Sequence, residues 1–223
     1  MNKKYSFLVF VLFFNVLINA QNPLWMRYPA ISPDGSQIAF AYQGDIYTVD
    51  IDGGVATRLT THEAFDSNPV WSPDSKQIAF VSDRDTGAKD IYIMSREGGA
   101  AKRLTTHSAP ETPFTFTPDS KHLVFAAHYQ DPAQSALFPS ARLTEVYQVN
   151  IENGKTEQIL AFPAINVSFN KSGSRIIFQD MKGFENTWRK HHTSSVTRDI
   201  LTYDFESGKY EKLIGRAGED TNP

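Results

Sequence analysis

Apolar and polar residues alternate in short runs along most of the chain, as in Gln77-Ile78-Ala79-Phe80-Val81, and no segment sustains a helical spacing of apolar positions. Period-two alternation sends successive side chains to opposite faces of an extended backbone, so each run is read as a β-strand with one or both faces covered. Between the runs stand S-P-D-G at 32–35, S-P-D-S at 72–75 and T-P-D-S at 117–120, and later D-G-G, E-G-G, E-N-G or E-S-G. Proline pre-sets the first central position of a type I turn, Asp suits the next, and Gly, Ser or Lys closes it. The glycine pairs supply the positive φ angles that a tight hairpin needs.

These phrases repeat. Ser32, Ser72, Thr117 and Asn170 are equivalent points, at intervals of 40, 45 and 53 residues. Each interval holds an apolar stretch into the turn, an alternating strand, and a strand opening on an acid: D-I-Y-T-V at 45–49, D-I-Y-I-M at 90–94, E-V-Y-Q-V at 145–149 and D-I-L-T-Y at 199–203. A last strand follows, T-R-L-T-T-H at 57–62 or K-R-L-T-T-H at 102–107. Four short strands in meander order with this period predict the blade of a β-propeller, an all-β fold of four-stranded antiparallel blades. Ile38, Phe40, Ile78, Phe80, Val124, Phe125, Ile176 and Phe178 are then the filling between stacked sheets. Asp34, Asp74 and Asp119 are turn formers, because every blade needs its turn.

The amino terminus departs from this grammar. A short basic start, Met1 to Lys4, leads into an apolar run and the small residue Ala20, the layout of a cleavable export signal over residues 1–20. A single membrane anchor is the competing reading, but Asn15 interrupts the run and its length is short for a span. The rest, 21–223, is read as a partial propeller in an exported, periplasmic or extracellular setting. The chain has no Cys, which excludes disulfides, thiol nucleophiles and thiolate metal sites. A formal net charge of -3 gives no global field to attract nucleic acid or anionic lipid.

Packing explains what the repeats share, so their differences carry more information about function. From Phe40 to Asp45, Phe80 to Asp90, Phe125 to Glu145 and Phe178 to Asp199 the connection spans 5, 10, 20 and 21 residues. In an up-and-down blade this connection leaves from the same face as the crossover to the next blade, so the insertions gather on one side of the disc, where a rigid scaffold presents binding loops. The candidate binding residues are Leu137, Phe138 and Arg142 in the third repeat, and Phe184, Trp188, Arg189, His191, His192 and Arg198 in the fourth. Aromatic and Arg side chains suit a peptide or protein contact; the alternative is that the apolar ones fold back to cover a blade edge or the channel mouth. His191-His192 beside Ser194-Ser195 lacks the third orienting group of a catalytic triad. The two histidines have no partner at a metal-ligand spacing. The acids of S-D-R-D-T-G-A-K-D do not fit a calcium loop. His62 and His107 share one repeat position and read as crossover residues. No catalytic residue, cofactor site or metal site is assigned.

The S-P-D-G-x-x-I-A-F, D-I-Y and G-G-x-x-x-x-L-T phrases resemble the propeller repeats of TolB periplasmic proteins, tricorn-type proteases and prolyl-oligopeptidase relatives. S-A-L-F-P-S-A-R-L-T-E-V-Y at 135–147 and W-R-K-H-H-T-S-S-V-T-R-D-I at 188–200 are similar to the first propeller of exported bacterial tricorn-like serine peptidases. That resemblance implies a six-bladed propeller followed by a second propeller, a PDZ domain and a region with the nucleophilic serine. It also implies a peptide or protein substrate and the remaining domains of the same polypeptide as partners; a homo-oligomer is a further expectation, with no membrane after signal cleavage and, from the charge, no nucleic acid. Four blades are expected here, near 28–66, 67–111, 112–164 and 165–218. Glu219 to Pro223 parallels the approach Ala64 to Pro69 and reads as the start of a further blade.

Overall fold

The computed structural model describes residues 25–85, 87–129, 143–160, 162–181, 197–214, 218 and 220–223. They form four antiparallel meanders of four strands each. The first blade holds β1 (Arg27–Ile31), β2 (Gln37–Tyr42), β3 (Asp45–Asp50) and β4 (Thr57–Arg58); the second holds β5 (Asp66–Trp71), β6 (Gln77–Ser82), β7 (Asp90–Ser95) and β8 (Gly98–Arg103). The third holds β9 (Thr112–Phe116), β10 (His122–Ala127), β11 (Glu145–Asn150) and β12 (Thr156–Leu160); the fourth holds β13 (Ala164–Phe169), β14 (Arg175–Asp180), β15 (Ile200–Asp204) and β16 (Lys209–Lys212). The architecture is the all-β propeller expected from the repeat. The last strands end earlier than T-R-L-T-T-H suggests, at Arg58 and Arg103. The reason is local: the Thr60 and Thr105 hydroxyls accept the N–H groups of Ile46 and Ile91, each at 2.9 Å, so a side chain takes over from the strand ladder.

The turns between first and second strands share one chemistry. The hydroxyls of Ser32, Ser72 and Thr117 donate to Asp34, Asp74 and Asp119, each at 2.6 Å, and the same carboxylates accept a backbone N–H two residues on. Those hydroxyl hydrogen bonds are the largest cause of the low pKa of all three carboxyls. The Asp side chains are therefore turn formers, as the repeat implied. The residue after each Asp lies in the left-handed region, Gly35 at φ 70° but Ser75 and Ser120 at 59°. In the fourth blade Asn170 takes the place of the hydroxyl residue and its Oδ1 accepts the Arg175 N–H at 3.1 Å.

Blades pack large face to small face. Ile78 and Phe80 of blade two lie against Ala39 and Ala41 of blade one, and Leu123 and Phe125 of blade three lie against Ala79 of blade two. Ile176 and Phe178 of blade four close on Val124 of blade three. Within a blade the second-strand Phe sits opposite a third-strand aromatic, giving stacked pairs Phe40–Tyr47, Phe80–Tyr92 and Phe125–Tyr147 with centroids 5.8 to 5.9 Å apart. Burying such rings, each 150–250 Å² in a typical protein, supplies most of the drive for stacking.

The first strands of neighbouring blades touch one another, which places them innermost, while the fourth strands form the exposed edges. The inner strands β1, β5 and β13 each carry a bulge with Tyr28, Asn68 or Asn166 at φ 53° to 54°. Asp220 to Pro223 repeat that geometry: Asp220 N–H donates to the Arg198 carbonyl as Asp66 N–H does to the Gly44 carbonyl, and Asn222 has φ 58°.

Candidate functional site on the loop face

The connections between second and third strands and the crossovers between blades leave from one face, opposite the S-P-D turns. Of the residues singled out from the sequence, Leu137, Phe138, Arg142, Phe184, Trp188, Arg189, His191 and His192 lie outside the described residues. Arg198 is described: it is half-buried, and its carbonyl holds the Asp220 N–H. His62 and His107 do sit in crossovers, where their Nδ1 atoms accept the N–H groups of Ala64 and Ala109. Both imidazoles are thus committed to holding the backbone.

The acids that open the third strands are structural. Asp45 pairs with Arg58 at 2.6 Å, Asp90 with Arg103 at 2.7 Å and Asp199 with Lys212 at 2.6 Å, while Glu145 accepts from Gln158 at 2.8 Å. Each blade therefore ties its third strand to its fourth through one acid and one donor at equivalent positions. The sequence displayed this as the recurring acid of D-I-Y and the Arg of R-L-T.

A second set of acids opens the first strands: Asp66 in blade two and Glu111 in blade three, both fully buried. Arg84, four residues after Phe80, donates from Nη2 to both Asp66 oxygens at 2.9 and 2.7 Å and from Nε to Ser82. Its guanidinium lies 4.7 Å from the centre of the Tyr92 ring. Four residues after Phe125 the equivalent residue is Tyr129, which donates its hydroxyl to Glu111 Oε1, while Thr105 contacts Oε2. A neutral phenol thus stands where blade two has a cation. Burial pushes the Glu111 carboxyl up to about 7, and the Asp90 charge adds to the rise. Burial, and the Glu111 charge next to it, drive the Tyr129 hydroxyl far above its ordinary range. The Tyr129 ring packs on His107 and Tyr147 with centroids 4.0 and 4.4 Å away.

Among the described residues, two hollows on this face stand out. One, of about 350 Å³, is lined by Trp25, Arg27, Ala41, Tyr42, Gln43, Gly44 and Phe65. Trp25 and Phe65 are 74% and 49% exposed, and the Arg27 guanidinium stands 4.4 Å over the Trp25 ring. Gly44 is at φ 88° beneath Phe65, where a Cβ would meet the ring at 3.3 Å, so the floor of the hollow needs glycine on both counts. The other hollow, about 360 Å³, lies beside Gly87, Ala88, Thr106, His107 and Ser108. The candidate binding residues read from the sequence lie in the long third and fourth insertions, and none of them lines this first-blade groove. Its signal was present, since Trp25 and Phe65 occupy the repeat position held by Pro110 and Pro163 in later blades.

Among the described residues no group of three or more His, Asp or Glu is placed to hold a metal ion, and no helix is long and apolar enough to cross a membrane. Among the described residues the face offers exposed aromatic surface and an exposed cation above buried acids.

Four-stranded meander blades whose first strands touch one another define the molecule as a β-propeller. The chain belongs to the family described as the tricorn protease N-terminal beta propeller domain, whose model matches residues 23–223. A Tol-Pal system protein TolB of Francisella tularensis is 37% identical over 70 residues, covering 30% of this chain and 16% of that protein. Among solved structures, one assigned as TolB from Agrobacterium tumefaciens superposes with a TM-score of 0.69 at 18% identity, over 89% of this chain and 65% of that one. The tricorn protease superposes with a TM-score of 0.58 at 15% identity, over 84% of this chain and 22% of that one. The structural likenesses speak to the fold. The chain spans 20% and 16% of the first curated relatives that it matches.

Proposed function

We propose that this chain is a non-catalytic propeller segment of an exported tricorn-like serine peptidase, and that its loop face docks or gates peptide substrate for an active site elsewhere in the polypeptide. The family match across the propeller is the observation that carries this reading. It is supported by the collection of repeat-breaking residues on one face, and export by the signal-like residues 1–20. The second reading, a TolB-like propeller that binds protein partners without chemistry, draws on the stretch shared with TolB.

The two readings part in one experiment. The full reading frame is expressed with its own leader, and the exported protein is incubated with denatured β-casein. Hydrolysis blocked by a serine-directed inhibitor is the expected result. Retention of β-casein on the immobilised protein without cleavage would favour the binding module. Neither cleavage nor retention would overturn both.

A further inference from the structure

The first-blade groove departs from the repeat at two positions. The repeat position at the entry to the first strand holds Trp25, Phe65, Pro110 and Pro163 in blades one to four, so blades three and four fold without an aromatic there. The position two residues further on is Arg27, Ser67, Thr112 and Ile165, so blade one alone places a cation there. Arg27 is exposed and has no acidic partner among the described residues; its recorded contact is the Trp25 ring. Among the described residues it is also the one charged residue lining the groove. Exposed Trp, Phe and Arg clustered around a concave apolar floor are the composition of interaction hot spots.

We propose that this groove, between the β2–β3 turn and the crossover to blade two, is a docking site for an extended peptide segment carrying a large apolar side chain next to an acidic one. The ring of the incoming residue lies between Trp25 and Phe65 over Gly44 and Ala41, and its neighbouring carboxylate pairs with Arg27. Held against an aromatic face, a guanidinium is partly desolvated, which strengthens a carboxylate contact over one made in open water. The volume of about 350 Å³ suits one or two side chains rather than a folded domain. This inference rests on the docking reading above and names the chemistry that the face selects.

The test uses the full-length protein and fluorescein-labelled peptides blocked at both ends, with the core Asp-Phe-Asp, Lys-Phe-Lys or Asp-Ala-Asp, followed by anisotropy. The Asp-Phe-Asp peptide is expected to bind with a Kd below about 1 mM, and each of the other two at least about tenfold more weakly. Arg27→Ala and Phe65→Ala, both at exposed side chains, are each expected to weaken Asp-Phe-Asp binding about tenfold without moving the melting temperature. Arg175→Ala on the turn face serves as the control and leaves binding unchanged. Equal binding by native protein and Arg27→Ala overturns the groove while leaving loop-face docking standing. Absence of Asp-Phe-Asp binding to the native protein also overturns the groove, and β-casein retention then decides the docking reading separately.

Discussion

Replacing Arg84 with Met will lower the stability of the protein by roughly 3–5 kcal/mol, the usual cost of stripping one partner from a buried ion pair. Asp66 is fully buried and the Arg84 side chain is 13% exposed, so solvent cannot take over the charge. The loss includes the Arg84 hydrogen bond to Ser82 and its contacts with the Phe80 and Tyr92 rings, which hold the start of β5 to the end of β6. Arg175→Ala provides the contrast. Its pair with Asp204 is 2.8 Å long but the Arg175 side chain is 53% exposed, and losses of this kind stay within about 1 kcal/mol. Urea midpoints measured on both variants check the difference. Adding Asp66→Asn to Arg84→Met should recover part of the loss, because the orphaned charge goes with it; a double variant no better than the single one would place the effect in packing alone.

Glu111 will make the protein less stable as pH rises from about 4.5 to about 7, and Glu111→Gln will remove that slope. The carboxyl has an ordinary value of 4.5 and sits at about 7 in the folded protein, so over that interval the folded state holds a proton that the unfolded chain has released. Stability therefore falls with rising pH through the window, by on the order of 3 kcal/mol, and is flat in this respect above it. The groups facing Glu111 are the Thr105 and Tyr129 hydroxyls and the Asp90 carboxylate, with His107 and Tyr147 packed on Tyr129. None of these is a cation seated on the carboxylate, in contrast to Arg84 on Asp66. Asp34, Asp74 and Asp119 act in the opposite sense: their lowered values add stability that is lost as pH falls below the ordinary 3.8. Denaturation at about pH 5 and about pH 8 isolates Glu111, because those turn carboxylates stay ionised at both. Glu111→Gln is expected to match the native protein at the lower pH and exceed it at the higher; a gain of equal size at both would mean that Glu111 is not the titrating group.

The strand order and the turns were legible because proline, glycine and the short Ser-Pro-Asp signals act within a few residues of where they are written. The roles of the acids were half legible. Asp45 and Asp90 stood out as the first letter of a strand, but their partners Arg58 and Arg103 come 13 residues later on a neighbouring strand, and only the register brings them together. The exchange of Arg84 for Tyr129 is visible once the repeats are aligned on Phe80 and Phe125, yet its consequence for Glu111 depends on burial, which the alignment does not contain. Trp25 and Arg27 fall between the signal-like residues 1–20 and the first blade, expected to begin near residue 28. Their partner Phe65 lies about one repeat away, and the crossover geometry that joins them is tertiary.

The most direct test of the account is hydrogen exchange on the full-length protein with and without denatured β-casein at a concentration that leaves the substrate bound. Protection concentrated at residues 25–27, 42–45, 62–66 and 106–111, with the S-P-D turns at 33–36, 73–76 and 118–121 unchanged, is what a working loop face predicts. Protection of those turns with the loop face unaltered would contradict it, and would move recognition to the opposite side of the propeller.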